Sequence, residues 1–135
     1  HRLEFVGEFN GIKYYNDSIS TIPEATINAI ESLKDVDTVI IGGLDRGIHY
    51  DNFATYLTNS NVRNIILAYD TGKRIYSKMN PNRAILVNDL EEAVKCAKEV
   101  TEKGKVCLLS PAAASYGYFK NFEERGNKFK ELIKK

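Results

Sequence analysis

The chain has 135 residues, 43% of them hydrophobic, which suits one globular domain that buries roughly two-thirds of the surface its unfolded form exposes. Lys and Arg number 19 against 18 Asp and Glu, so the net charge offers no field that would favour nucleic acid or an anionic membrane. No apolar run approaches the roughly 20 residues that cross a bilayer. The composition therefore excludes a membrane span and predicts that any ligand is bound through local groups.

The N-terminal segment is predicted to form an antiparallel hairpin. Leu3–Glu8 and Ile12–Asn16 are rich in β-forming residues, and Asn-Gly within the intervening Phe9–Gly11 is a strong hairpin signal. The chain begins at His1 rather than Met and enters this strand pattern almost at once. We therefore expect that a further segment precedes it in the natural protein.

A helix is predicted to follow the hairpin and to extend to about Leu33. Thr21 is expected to cap it, Pro23 fits its first turn, and Glu24 is placed to reach back as in a capping box. Its core-facing side is formed by Ala25, Ala29, Ile30 and Leu33.

Strand and helix patterns then alternate with short connections. Apolar runs predict strands at Thr38–Ile41, Val62–Ala68, Ala84–Val87 and Val106–Leu109. Helices are predicted after an Asp51 cap, over Gly72–Met79, after Asp89, and finally over a segment carrying Phe122, Phe129, Leu132 and Ile133. This order predicts an α/β, Rossmann-like fold: a mostly parallel sheet of about six strands with helices on both faces and an antiparallel N-terminal hairpin.

Three loops at the carboxyl ends of the predicted strands are candidate binding segments, since ligands gather at this edge of open α/β sheets. They are Asn16–Thr21, Gly42–Gly47 and Ser110–Asn121. In the last, small residues would let backbone N–H groups approach a ligand, and a helical turn starting near Ser115 would favour a carboxylate or phosphate. Taken singly, the loops also have structural explanations: helix caps, a turn with an Asp45–Arg46 surface ion pair, and a packed corner.

Other familiar sites are missing from the sequence. It contains no Gly-x-x-x-x-Gly-Lys-Ser/Thr phosphate loop, and Gly42–Gly47 does not match the dinucleotide pattern, so triphosphate chemistry is not expected of this domain unaided. His49 is interpreted as a surface or supporting residue. Cys96 and Cys107 lack the paired spacing of a zinc site and are interpreted as reduced core residues.

Five segments of the sequence together carry a specific resemblance. They are His1–Glu4, Tyr15–Ser18, Gly42–Gly47, Leu109–Ser115 and Phe119–Gly126. In identity and order they resemble the C-terminal domain of the D-glutamate-adding enzymes of the Mur ligase family. The resemblance spans essentially the whole chain, and the last segment separates these enzymes from other Mur ligases and from folylpolyglutamate synthases.

The resemblance implies a three-domain, ATP-dependent amide ligase of peptidoglycan precursor synthesis, and thus a role in cell-wall formation, cell shape and cell division. Such an enzyme uses ATP and Mg²⁺ to phosphorylate the alanine carboxylate of UDP-N-acetylmuramoyl-L-alanine. The amine of D-glutamate then attacks the acyl phosphate. Residues 1–135 would be the amino-acid-accepting domain, inactive alone, and the N-terminal and central ATP-binding domains would lie outside this chain. A cytoplasmic, monomeric enzyme is expected.

The resemblance also implies two groups of binding residues. Arg2 would contact the nucleotide near its phosphates or ribose, and Asp17 would contact the ribose hydroxyls. The positions near D-glutamate would be Thr21, Arg46, Ser115, Tyr116 and Phe122. The Arg46 guanidinium suits a bidentate contact with one carboxylate, and Ser115 with adjacent N–H groups suits the other, which would orient the amine. No catalytic residue and no metal ligand are expected, because ATP and Mg²⁺ would be bound mainly by the central domain.

Two positions depart from the family pattern. Where the family usually reads Asn-Asp-Ser-Lys-Ala-Thr-Asn, isoleucine replaces the lysine at Ile19 and the second asparagine at Ile22. A related ligase with a different amino-acid acceptor is therefore an alternative. Another is a stand-alone α/β module that binds a small acidic ligand or a protein partner. Arg46 stands where lysine is also common, which keeps the charge but changes its geometry.

Overall fold

The structure, a computed structural model, describes every residue from His1 to Lys135. Its strands are β1 (Glu4–Phe9), β2 (Ile12–Asn16), β3 (Val36–Ile41), β4 (Asn64–Leu67), β5 (Ile85–Leu86) and β6 (Val106–Leu109). Its α-helices are α1 (Pro23–Ser32), α2 (Asp51–Asn59), α3 (Tyr69–Tyr76), α4 (Leu90–Val100) and α5 (Phe122–Ile133). The strands form one sheet in the order β1-β2-β6-β3-β4-β5, and only β1 is antiparallel to its neighbour. The predicted α/β, Rossmann-like fold with an N-terminal hairpin is confirmed.

The turn between β1 and β2 shows why the hairpin prediction succeeds. Asn10 and Gly11 both have positive φ angles, 52° and 84°, as the type I′ turn that matches the strand twist requires. Asparagine and glycine tolerate this conformation better than other residues.

Side chains of the parallel strands alternate between two apolar layers. Val39 and Ile41 of β3 pack with α1, α2 and α3, while Ile40 between them packs with α4 and α5. Because both faces of the sheet are covered, the carboxyl-terminal parts of these strands, Val39–Ile41 and Ile65–Leu67, are apolar. None of the five helices has both the length and the hydropathy that a membrane span requires.

Three predicted helix starts are wrong. The chain stays extended through Ile22, which is the N-cap of α1 without a side-chain bond, because Pro23 sets the first helical position; Thr21 therefore does not cap. Asp51 is the first residue of α2 rather than its cap, and its carboxylate pairs with Lys78 at 2.6 Å. Helix α3 occupies 69–76 rather than 72–79, because the backbone turns directly after β4.

Asp37, in β3 at the opposite edge of the sheet from the three loops, is a buried carboxylate that pairs with the exposed Arg63. Its carboxylate accepts hydrogen bonds from Arg63 Nε at 2.9 Å, Arg63 Nη2 at 2.8 Å and the Glu102 amide at 2.8 Å. The bonds from Arg63 hold the pKa of Asp37 below its ordinary value of 3.8, although burial opposes them.

We expect Asp37→Asn to lower the free energy of unfolding by about 2 kcal/mol at pH 7, since bonds to a charged group are lost. The folded-state pKa of Asp37 lies below the unfolded value of 3.8, so its contribution is complete above that pH and disappears as the pH falls through the folded pKa. Urea unfolding from pH 7 to pH 2 checks this. A stability difference between the two proteins that stays constant as the pH falls would contradict it.

Candidate functional site

The three loops identified in the sequence meet at one edge of the sheet. Strands β2, β6 and β3 are parallel neighbours, so their carboxyl ends lie side by side. The Ser110–Asn121 loop follows β6 and lies between the other two. Its Ala112 amide donates to the Ser20 carbonyl at 3.0 Å, and its Ala114 carbonyl accepts from the Leu44 amide at 2.9 Å. The loops therefore form one connected surface.

Asp17 lies at the base of this surface and is 2% exposed. One carboxylate oxygen, Oδ2, accepts from the hydroxyls of Ser20 and Ser110 at 2.5 and 2.7 Å, and Oδ1 accepts from the Leu3 amide at 3.1 Å. Asp17 also lines a cavity of about 140 Å³ together with Arg2. Its carboxylate thus ties the N-terminal segment to two loops, and Oδ1, with one hydrogen bond, retains an unfilled acceptor position.

The Ser110–Asn121 loop presents unused hydrogen-bond donors. Ala114 forms an isolated antiparallel bridge with Leu44, whereas the amides of Ala113 and Ser115 donate no hydrogen bond within the chain. The Ser115 hydroxyl also donates none, and Ser115 is 3% exposed. The expected helical turn near Ser115 is a single turn, in which its carbonyl accepts from the amides of Tyr118 and Phe119. The two free N–H groups on either side of this bridge, together with the free hydroxyl, suit a carboxylate.

The Gly42–Gly47 loop is held so that Arg46 is left free. The predicted ion pair between Asp45 and Arg46 is wrong, because Asp45 pairs with Arg74. Arg74 Nε and Nη2 donate to the two carboxylate oxygens of Asp45 at 2.9 and 2.8 Å. The Gly47 amide donates to Asp45 at 2.9 Å. The hydrogen bond from the Gly47 amide is the largest cause that holds the pKa of Asp45 below its ordinary range, and the bonds from Arg74 lower it further. Arg46 is exposed and forms no ion pair, so its guanidinium is available to an anion.

The remaining predicted positions lie around this edge. The Thr21 hydroxyl, not used as a cap, makes no hydrogen bond within the chain. Tyr116 is 59% exposed. Phe122 begins α5, and its carbonyl accepts from the Ser18 hydroxyl at 2.7 Å. No hydrogen bond joins any two of the five positions assigned to D-glutamate. Their polar groups therefore do not occupy one another.

Sequence reasoning missed the residue at the centre of the junction. Arg125 is 1% exposed, and its Nε and Nη2 donate to the Ser18 hydroxyl and carbonyl at 3.0 and 2.7 Å, while Nη1 donates to the Ala113 carbonyl at 3.0 Å. A Cβ added to Gly43 would lie 3.1 Å from Nη1. The guanidinium therefore donates to two of the loops and lies beside the third.

Arg125 has no carboxylate partner. Burial lowers its pKa to about 10, so it is protonated at neutral pH, and a buried cation without a counter-ion favours an anion nearby. Its position on α5 is the signal that could have revealed it. Arg125 lies three residues after Phe122 and four before Phe129, on the apolar face of the helix, where a charge is unexpected.

The larger cavity of the molecule lies elsewhere. It measures about 720 Å³ and is formed at the opposite edge of the sheet, among Leu33, Asp35 and Tyr56. Neither cavity is lined by Arg46, Ser115 or Phe122. The candidate site is therefore an open surface at the carboxyl edge and not a closed pocket.

Comparison with known proteins identifies the family. A model described as Mur ligase, glutamate ligase domain, matches residues 1–113. The chain belongs to the Mur ligase family. This Mur ligase domain is 48% identical to UDP-N-acetylmuramoylalanine–D-glutamate ligase of Caldanaerobacter subterraneus subsp. tengcongensis and 41% identical to that of Aquifex aeolicus, each over 98% of the chain. It spans only 30% and 32% of the length of these relatives.

Solved Mur ligases share the fold of the domain. UDP-N-acetylmuramate-alanine ligase from Thermotoga maritima matches 98% of the chain with a TM-score of 0.63 and 20% identity, the chain covering 30% of that structure. MurF ligase from the same organism, in complex with ADP, matches 98% of the chain with a TM-score of 0.62 and 17% identity, the chain covering 31% of that structure. At such identities the likeness establishes the architecture.

Proposed function

We propose that this domain is the amino-acid-accepting C-terminal domain of an ATP-dependent ligase that joins D-glutamate to UDP-N-acetylmuramoyl-L-alanine. The complete enzyme would be a cytoplasmic monomer whose N-terminal and central domains lie outside this chain. The names of the relatives that are 41% and 48% identical support this assignment. The open surface at the carboxyl edge also suits a site that binds the acceptor and over which other domains close.

The observation that carries the proposal is the set of free donors around an unpaired cation. The amides of Ala113 and Ser115 and the Ser115 hydroxyl are unused, and the Arg125 guanidinium donates to the Ala113 carbonyl of the same loop. One carboxylate of D-glutamate would accept from these donors. The other would pair with Arg46, which is free on the adjacent loop. An anion with two carboxylates thus matches the site better than a neutral ligand.

In this proposal the chain acts by positioning rather than by proton transfer. Holding both carboxylates fixes the amine of D-glutamate, and an oriented amine attacks an acyl phosphate with a lower entropic barrier. Domain closure would keep water from the acyl phosphate. Arg2 and the free acceptor position of Asp17 would contact the phosphates or ribose of ATP. Mg²⁺ would be bound mainly by the central domain, which lies outside this chain.

We expect Ser115→Ala and Arg46→Ala each to weaken binding of D-glutamate to this chain by at least ~10-fold, or about 1.4 kcal/mol, because each removes one carboxylate contact. Titration followed by NMR or calorimetry measures this. Lys95→Ala is the matched control, because Lys95 is an exposed cation on α4, away from the loops.

Three outcomes would contradict the proposal. If D-glutamate does not bind the unaltered chain, the chain is not the acceptor domain. If the Ser115 and Arg46 variants bind D-glutamate as tightly as the unaltered chain, the acceptor binds elsewhere. ATP hydrolysis by this chain alone contradicts the assignment of nucleotide chemistry to other domains.

The exposure of Ile22 supports a second candidate, a related ligase with another amino-acid acceptor. Its side chain is 45% exposed beside Thr21, where a family asparagine would supply a polar group. The same titration with L-glutamate, D-aspartate and D-alanine separates the two candidates. Tighter binding of one of these would favour the second.

A further inference from the structure

We propose that Tyr69 and Tyr118 form an aromatic clamp that holds the turn Ser115–Phe119 in the shape that binds the acceptor, with Tyr118 as a positioning residue. The inference rests on the proposed function, because it assigns a role within the same site. Tyr118 would not touch the ligand. It would act through the backbone that carries Ser115 and Tyr116.

The clamp is a stack of rings closed by a hydrogen bond. The rings of Tyr69 and Tyr118 have centroids 4.3 Å apart at an interplanar angle of 34°. Phe119 adds an edge contact to Tyr69 at 6.3 Å and 85°. The Tyr118 hydroxyl donates to Asp70 Oδ2 at 2.8 Å. Stacked and edge-to-face rings favour one arrangement over others, so these contacts fix the turn relative to α3.

Tyr69 is the fixed half of the clamp. Its φ angle is 63°, a conformation that bulky residues rarely adopt and that persists only where the surroundings impose it. Its hydroxyl accepts a hydrogen bond from the Leu90 amide at 2.9 Å, at the start of α4. The strained backbone thus points the ring at the loop, and α4 holds it there.

Tyr118 is joined to the ligand-binding donors through the turn itself. Its amide and that of Phe119 donate to the Ser115 carbonyl at 3.3 and 2.9 Å. Gly117, with a φ angle of 88°, makes the intervening backbone adaptable. Since Tyr118 is 39% exposed, removing its ring leaves no core cavity. Its loss would therefore loosen the turn more than it would destabilise the fold.

The test compares Tyr118→Ala and Tyr118→Phe in this chain. Alanine removes the stack, and phenylalanine keeps it while removing the bond to Asp70. We expect Tyr118→Ala to accelerate hydrogen exchange of the backbone amides at positions 118 and 119 and to weaken D-glutamate binding by at least ~10-fold. Tyr118→Phe should retain affinity within roughly 3-fold, because the aromatic pair persists. Tyr56→Ala, which removes a partly buried tyrosine at the opposite edge, is the matched control and should leave both readouts unchanged.

The outcomes separate this inference from the function on which it rests. If the unaltered chain binds D-glutamate and Tyr118→Ala binds it equally well with unchanged exchange in the turn, the clamp has no positioning role. If exchange accelerates but affinity is unchanged, the clamp orders the turn without serving the acceptor, and the inference is also wrong. If the unaltered chain does not bind D-glutamate, the proposed function fails first and the inference fails with it.

Discussion

Replacing Arg125 with methionine is expected to weaken D-glutamate binding by roughly two orders of magnitude and to lower the free energy of unfolding by about 3 kcal/mol. The change leaves the Ser18 and Ala113 carbonyls without their buried donor and removes the cation at the junction of the three loops. Arg125→Lys retains the charge, but lysine lacks the planar guanidinium that donates to both carbonyls at once. We therefore expect this variant to lose less affinity and less stability than Arg125→Met.

Urea unfolding and D-glutamate titration measure the two effects separately. Arg83→Met is a matched control, because Arg83 also donates to backbone carbonyls, those of Thr58 and Leu57 at 3.1 and 3.0 Å, but lies away from the loops. It should reduce stability and leave the affinity for D-glutamate unchanged. An Arg125→Met protein that keeps its affinity would show that the buried cation does not serve the acceptor site.

Gly43→Ala is expected to have the other large effect, because no space exists for a methyl group between the loops. An added Cβ would overlap the Ala114 carbonyl oxygen and lie 3.1 Å from Nη1 of Arg125 and 3.2 Å from the Ala113 Cβ. The Gly42–Gly47 loop must then move away from the Ser110–Asn121 loop. We expect a loss of about 2–3 kcal/mol in unfolding free energy and at least ~10-fold weaker D-glutamate binding.

Gly104→Ala is the control for this substitution. Gly104 has a φ angle of 89° and open space around its Cα, so alanine there costs only backbone strain, about 1–2 kcal/mol. Thermal unfolding and D-glutamate titration of both variants make the comparison. If Gly43→Ala weakens binding no more than Gly104→Ala does, the close approach of the two loops is not needed for the site.

The architecture could be predicted because its signals are local. Alternating apolar runs indicated the parallel strands, and Asn10-Gly11 indicated a turn whose positive φ angles few other residues adopt. The same alternation placed the three loops at one edge, since parallel strands end on the same side. The helix starts were less predictable, because Thr21 and Asp51 have capping side chains but the backbone begins each helix elsewhere.

The connections within the site could not be predicted, because they join residues far apart in the chain. Asp45 directly precedes Arg46 in the sequence but pairs with Arg74 on α3. Arg125 stands out on the apolar face of α5, but its partners Ser18 and Ala113 come from distant segments that the sequence does not bring together. The clamp depends on a left-handed Tyr69 that no sequence pattern indicates. Tertiary packing selects each of these contacts.

Amide formation by the full-length protein with ATP, UDP-N-acetylmuramoyl-L-alanine and D-glutamate would decide whether this domain accepts D-glutamate at the three loops. We expect ADP and the amide to form together and only with D-glutamate, and we expect Arg46→Ala and Ser115→Ala to reduce kcat/KM at least ~10-fold. Turnover with another amino acid and none with D-glutamate would contradict the assigned acceptor. Full activity in both variants would contradict the assigned site.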